Sequence, residues 1–85
     1  MSIEEYPNGG WYAYFSIGSK EFYGHIYDYR KFVRCFTTMI HPMRIEIMPV
    51  EDGVVKEDAI VYSATATALT KDILTYHIGR FINPF

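Results

Sequence analysis

The chain has 85 residues, of which 49% are hydrophobic and 18% aromatic, and its formal net charge at pH 7 is −2. This length suits one domain rather than two, and the acidic balance argues against general nucleic-acid binding, which needs a basic surface. The single cysteine, Cys35, excludes an intrachain disulfide and a structural zinc site built on cysteines.

The first ten residues, MSIEEYPNGG, are acidic and unlike a signal peptide. No apolar run reaches the roughly 18 residues that a membrane-spanning helix needs. We therefore expect a cytoplasmic protein with no membrane partner. Its single domain is predicted to have an N-terminal arm at residues 1–10, a core at residues 11–82 and a short tail at residues 83–85.

Two aromatic strands are predicted at residues 11–17 (WYAYFSI) and 21–27 (EFYGHIY). Both segments are rich in strand-forming residues, and the GSK between them can close a hairpin. Successive side chains of a strand point to opposite faces of the sheet, which sorts the rings into two sets. The apolar set, predicted to face the core, includes Trp11, Phe15, Phe22 and Ile26. The second set is amphipathic and consists of Tyr12, Tyr14, Tyr23, His25 and Tyr27.

A helix is predicted at residues 29–40, with Asp28 as its N-terminal cap and Pro42 as its stop. Apolar residues recur in this segment at helical spacing and are expected to face the core. The opposite side of the helix is basic and is expected to face solvent; it carries Arg30, Lys31 and Arg34. Cys35 falls at the edge of the apolar stripe.

The next strand is predicted at residues 43–50. Because proline cannot donate a ladder hydrogen bond, Pro49 indicates that this strand lies at an edge of the sheet or ends there. The EDG at residues 51–53 predicts a turn. The VVKED that follows either continues a hairpin or forms a loop.

One more strand and one more helix complete the chain. The strand is predicted at residues 59–68, and the residues expected to face the core are Ile60, Tyr62, Ala64 and Ala66. Thr70 is predicted to cap a helix at residues 71–82. His77 lies on the apolar stripe of this helix, where we expect a hydrogen-bonded core histidine.

The predicted order of elements is therefore β-β-α-β-β-α. It indicates an α+β fold, a two-layer sandwich with a four-stranded, mainly antiparallel sheet and two helices on one face.

The sequence offers little for catalysis or metal binding. The histidines His25, His41 and His77 lack the short spacing of a ligand pair. Neither a nucleophile elbow nor a glycine-rich phosphate loop is present. We therefore predict that the protein is not an enzyme and has no metal site and no cofactor.

One face of the predicted sheet is left for binding. If both helices cover the same face, the opposite face stays open. The predicted binding residues on that face are Tyr12, Tyr14, Tyr23, His25 and Tyr27, with Arg44 at the rim. Glu46 and Met48 are predicted beside Arg44 at the same rim. Tyrosine and arginine are enriched in protein interfaces, and large exposed apolar patches mark contact sites. The opposing interpretation is that the N-terminal arm or residues 81–85 cover this face.

The patch favours a small, non-enzymatic protein-binding module, such as an inhibitor that a phage or mobile element directs against a host or defence protein. The same face could instead join two copies in a homodimer. A first alternative is single-stranded nucleic-acid binding by aromatic stacking on this face. A second alternative is a small-molecule-binding domain or an enzyme, which would require a concave pocket.

Overall fold

The computed structural model of the chain describes residues 2–7, 9–32 and 42–84. The elements in chain order are β1 (Ile3–Glu5), β2 (Trp11–Ile17), β3 (Lys20–Asp28), α1 (Tyr29–Phe32), β4 (Met43–Glu51), β5 (Val54–Val55), β6 (Tyr62–Ala66) and α2 (Lys71–Ile82). The fold is α+β, as predicted, with an antiparallel sheet and a C-terminal helix.

The sheet has the order β1-β2-β3-β4, and both β5 and β6 pair with the far edge of β4. The prediction of four strands is wrong, because two short segments also join the sheet. The N-terminal arm supplies β1, which pairs with β2 so that Glu4 lies opposite Tyr12. The ambiguous VVKED begins with β5, which continues the hairpin from β4. Segments of two or three residues carry too little alternation to be recognised as strands from sequence.

β4 is a central strand, which corrects the prediction that Pro49 places it at an edge. The Pro49 carbonyl accepts a hydrogen bond from Lys56 N at 2.9 Å, so the Pro49 nitrogen also points to that side of the strand. On that side, pairing with β6 ends at Ile47 and pairing with β5 begins at Val50. The proline therefore lies between the two paired segments, where its missing donor removes no ladder hydrogen bond.

β5 and β6 follow one edge of β4 as a single strand interrupted by residues 56–61. The turn that leads into β5 is Asp52–Gly53, and φ is positive at both residues (53° and 76°), as a type I′ hairpin turn requires. After the interruption, Val61 N donates to the Ile47 carbonyl at 2.9 Å and brings the chain back to β4. The loop at residues 56–61 is thereby anchored at both ends.

The core lies between the sheet and α2. Its largest fully buried side chains are Ile26, Ile45, Ile47, Leu74 and Ile78. Three inner residues predicted on the last strand also pack in this cluster: Tyr62, Ala64 and Ala66. Ile60, in contrast, is 45% exposed, because β6 begins only at Tyr62 and Ile60 belongs to the preceding loop.

α2 has the predicted bounds and the predicted cap, since Thr70 Oγ1 accepts a hydrogen bond from Ile73 N at 3.3 Å. His77 is hydrogen-bonded as predicted, with its Nδ1 at 2.6 Å from the Tyr62 hydroxyl. The ring is half-buried at the margin of the core.

The first predicted helix is described only at its start. Asp28 Oδ1 accepts a hydrogen bond from Arg30 N at 3.0 Å, so Asp28 caps α1 as predicted, and the Arg30 side chain also pairs with it. The remainder of the predicted helix, residues 33–40, lies outside the described residues, as do Arg34, Cys35 and His41 within or beside it. The described part of the chain thus holds one long helix where two were predicted.

Candidate functional site

The sheet face opposite α2 carries the aromatic residues that the strand alternation separates from the core. We call this surface the tyrosine face; it is formed by Tyr12, Tyr14, Tyr23, His25 and Tyr27. The register of β2 and β3 places Tyr12 opposite His25 and Tyr14 opposite Tyr23. The neighbouring ring centroids lie between 4.4 and 6.4 Å apart. The structure therefore brings these predicted residues into one continuous row of rings.

The tyrosine face is open at one end and closed at the other. Tyr14 is 57% exposed, and Tyr12 and Tyr23 beside it are half-buried. At the other end Tyr27 is only 7% exposed, and the side chain of His25 is 14% exposed. A partner that approaches this face would first meet the cluster of Tyr12, Tyr14 and Tyr23.

The N-terminal arm covers the centre of the face, as the opposing interpretation from sequence proposed. The Tyr6 hydroxyl lies 3.0 Å from His25 Nδ1, and the Tyr6 ring lies 4.7 Å from the Tyr12 ring. Phe81, in the other segment proposed as cover, packs instead against Phe22 on the core side of the sheet. Tyr6 was not among the predicted site residues. The signal that could have found it is the turn chemistry of PNGG, which allows the arm to return to the next strand.

A chain of hydrogen bonds runs through this covered part of the face and joins Tyr6, His25, Glu46 and Tyr27. Glu46 Oε1 accepts from His25 Nε2 at 3.2 Å and from the Tyr27 hydroxyl at 2.8 Å. Because a carboxylate can only accept, the neutral ring carries its proton on Nε2, and Nδ1 accepts from the Tyr6 hydroxyl. The chain of bonds fixes the orientation of the rings. Glu46 was expected at the rim of the face, on the same side of β4 as Arg44, and not as a hydrogen-bond partner of His25.

Burial sets the protonation states of this face. Burial lowers the pKa of His25, although the hydrogen bond and charge of Glu46 act in the opposite direction. Burial and, second, the hydrogen bond to Glu46 raise the pKa of Tyr27. Burial and then the charge of Glu57 raise the pKa of Tyr23 to about 12. These directions of the pKa keep Tyr23, His25 and Tyr27 neutral at neutral pH.

The lowered pKa of His25 predicts that acidification destabilises the fold. The unfolded chain has a histidine pKa of about 6.5, so below that pH it binds a proton that the buried ring resists. The free energy of unfolding should fall as the pH drops from 7.5 through 6.5 and level off below the folded pKa. Urea unfolding at a series of pH values measures the free energy of unfolding. NMR titration of the His25 ring measures its pKa in the folded protein.

The control variants are His25→Gln and His77→Gln, because burial also lowers the pKa of His77. Each single variant should flatten part of the pH dependence, and the double variant should remove most of it. A stability that rises on acidification over this window would mean that Glu46 holds His25 in its charged form, contrary to the assignment.

Arg44 lies at the closed end of the face, away from the exposed tyrosines. It is opposite Tyr27 in the register, and its guanidinium lies 5.1 Å from the centroid of the Tyr29 ring. Its Nε is buried and has no hydrogen-bond partner among the described residues. Arg44 is thus beside Tyr27 at the rim of the face and away from Tyr12, Tyr14 and Tyr23.

Two of the cavities in the described part of the chain differ in whether predicted binding residues line them. The larger, about 760 Å³, opens at the turn end of the sheet between the β2–β3 turn, the β4–β5 turn and Phe81. None of the predicted binding residues lines it. The smaller, about 280 Å³, lies on the tyrosine face, and its lining residues are Tyr6, Tyr23, His25, Glu46, Met48 and Glu57. The loop at residues 56–61 brings Glu57 to this position.

Comparisons with known proteins give no lead to function. The chain matches no protein-family model, no curated protein and no solved structure. Among residues 2–7, 9–32 and 42–84, no group of His, Cys, Asp and Glu side chains is placed to hold a metal ion. Those residues also contain no helix long and apolar enough to cross a membrane. Among the described residues, the tyrosine face is therefore the feature that bears on function.

Proposed function

We propose that the protein is a small binding module that contacts a protein partner through the open end of the tyrosine face. The observation that carries the proposal is the cluster of Tyr12, Tyr14 and Tyr23, in which a ring with 57% exposure is held against two half-buried rings. Tyrosine supplies a large contact area at a low entropic cost.

The cluster is held in place before a partner arrives. The Tyr12 hydroxyl donates to Glu4 on the neighbouring strand at 2.8 Å, and the Tyr12 ring packs against Tyr6 and Tyr23. Side chains that are already ordered lose less freedom on binding, which raises affinity. This pre-organisation favours a recognition surface over an incidental group of surface rings.

The charges around the cluster favour a basic partner over a second copy of the chain. The carboxylates of Glu4, Glu46 and Glu57 lie on or beside the tyrosine face. In a symmetric dimer through this face the acidic surface of one copy would lie against the same acidic surface of the other. The same carboxylates would repel phosphates, which counts against single-stranded nucleic acid. An inhibitor of a host or defence protein is the form of this role that the sequence analysis favours.

The test is the double variant Tyr14→Ser with Tyr23→Ser, compared with Tyr76→Ser. Tyr76 is a matched control, because it is also 57% exposed but lies on α2. Proteins captured from the source cell with the wild type are purified, and their affinity for each variant is measured. We expect the double variant to lose binding by at least roughly tenfold while Tyr76→Ser retains it, as for central aromatic residues of interfaces.

Other outcomes would contradict the proposal. Unchanged binding by a folded double variant would show that the cluster is an unused surface. If the double variant unfolds, Tyr14→Ser alone repeats the test at the exposed ring. If the wild type is dimeric by light scattering and the double variant is monomeric, the face serves self-association. A captured nucleic acid whose binding is lost steeply with added salt would assign it to the first alternative.

A further inference from the structure

The small cavity on the tyrosine face is built by two segments that fold over the sheet. Tyr23, His25, Glu46 and Met48 belong to β3 and β4, whereas Tyr6 comes from the arm and Glu57 from the loop after β5. Its volume of about 280 Å³ is several times the roughly 30 Å³ that one water molecule occupies in the liquid. The cavity can therefore accept the end of a side chain.

Aromatic rings form much of the cavity wall. The His25 ring lies 5.3 Å from the Tyr23 ring and 6.1 Å from the Tyr6 ring, measured between centroids. The faces of tyrosine rings are electron-rich and attract cations within about 6 Å. Met48, which is only 4% exposed, adds an apolar surface on which an aliphatic stem can pack.

The charged groups of the cavity are negative. Glu46 accepts hydrogen bonds from His25 Nε2 and the Tyr27 hydroxyl and forms no ion pair with a lysine or arginine among the described residues. Glu57 is exposed and forms no ion pair with any described residue. No lysine or arginine is among the described residues that line the cavity. The charge of Glu57 also contributes to raising the pKa of Tyr23, so its field extends to the aromatic wall.

We infer that this cavity receives the guanidinium group of an arginine side chain from the protein partner. Arginine suits it better than lysine, because a planar guanidinium stacks on aromatic rings while its fork of N–H groups donates to carboxylates. Glu46 and Glu57 supply the acceptors, and Tyr6, Tyr23 and His25 supply the ring surfaces. This inference rests on the proposed function, of which it specifies the partner chemistry.

The first experiment uses the full chain and a pair of small probes, N-acetyl-arginine methylamide and its citrulline counterpart. Citrulline has the shape of arginine but a neutral urea group. Chemical shifts of the Tyr6, Tyr23 and His25 rings are followed by NMR during titration. We expect saturable shifts with the arginine probe and none with the citrulline probe. Equal responses to both probes, or no saturable response, would overturn the inference.

The matched variants are Glu57→Gln and Glu51→Gln, which change the net charge equally. Both glutamates are exposed, but Glu51 lies at the β4–β5 turn and outside this cavity. Loss of a hydrogen bond to a charged group predicts binding of the arginine probe at least roughly tenfold weaker for Glu57→Gln. Glu51→Gln should bind it like the wild type. Equal weakening in both variants would mean a general charge effect and would contradict a built site.

The tyrosine double variant and Glu57→Gln together distinguish failure of this inference from failure of the proposed function. If Tyr14→Ser with Tyr23→Ser abolishes partner binding but the wild type does not bind the arginine probe, the proposed function stands and the cavity assignment is wrong. If the probe binds but Glu57→Gln leaves partner affinity unchanged, the cavity serves a free guanidinium compound rather than the partner's arginine. The inference is supported if Glu57→Gln loses binding of both the partner and the arginine probe while Glu51→Gln retains both.

Discussion

Replacing Leu74 with alanine is expected to lower the free energy of unfolding by about 2–5 kcal/mol, the usual cost of such a change in a packed core. Leu74 is completely buried where α2 packs against the sheet, in one cluster with Ile26, Ile45 and Ile78. Because natural domains are stable by only about 5–15 kcal/mol, this loss should be visible as a large shift of the urea midpoint followed by circular dichroism.

Thr75→Ala is the control for this prediction. Thr75 follows Leu74 on the same helix but is exposed, and its hydroxyl donates only to the Lys71 carbonyl of its own helix. Alanine has the higher helix propensity, so the change should be neutral or slightly stabilising. If Leu74→Ala unfolded at the same urea concentration as Thr75→Ala, α2 would not pack on the sheet in the described way.

Replacing Gly10 with alanine is expected to destabilise the fold by roughly 1–3 kcal/mol, as overpacking of a filled site does. A Cβ at this position would lie 2.5 Å from the Ile26 carbonyl oxygen and 2.9 Å from the Tyr6 ring. The Ile26 carbonyl belongs to β3, which is paired on both sides and cannot move away. The strain should fall on Tyr6 and weaken its hydrogen bond to His25.

Gly79→Ala is the matched control for Gly10→Ala. A Cβ at Gly79 would meet no atom within 4 Å, and Gly79 is an exposed position inside α2. This change should stabilise the protein by about 0.5–1 kcal/mol. Thermal unfolding measures both effects, and the NMR signal of the His25 ring reports the position of Tyr6. An unperturbed His25 signal in a destabilised Gly10→Ala would show that the arm had not been displaced.

Much of the fold follows from local patterns that the sequence carries in full. Residues 11–17 and 21–27 alternate along the sequence between side chains of the two predicted faces, so Phe22 and Ile26 could be assigned to the core and Tyr14 and Tyr23 to the other face. α2 was predicted with its bounds, because Thr70 and the apolar spacing act within one segment. Such signals depend only on neighbours along the chain.

The strands that the sequence does not establish are those whose pairing depends on distant residues. β1 and β5 are three and two residues long, so each becomes a strand only because the edge of β2 or β4 is available to it. Pro49 was misinterpreted for a related reason. The effect of Pro49 on the sheet depends on which edge of β4 its nitrogen faces and on whether a strand pairs there. Both are decided by the tertiary structure.

The composition of the candidate site was decided by the tertiary structure. The alternation of residues 11–27 by itself determined that Tyr12, Tyr14, Tyr23, His25 and Tyr27 share one face. It could not determine which of them are exposed, because Tyr6 of the arm packs on Tyr12 and bonds to His25. Glu57 of the loop also reaches the cavity beside Tyr23 and His25. Nor could the alternation determine that Glu46 lies beside His25, because strand register joins residues that are distant along the chain. Side-chain direction is a local property of a strand, whereas burial and hydrogen-bond partners depend on which segments fold against it.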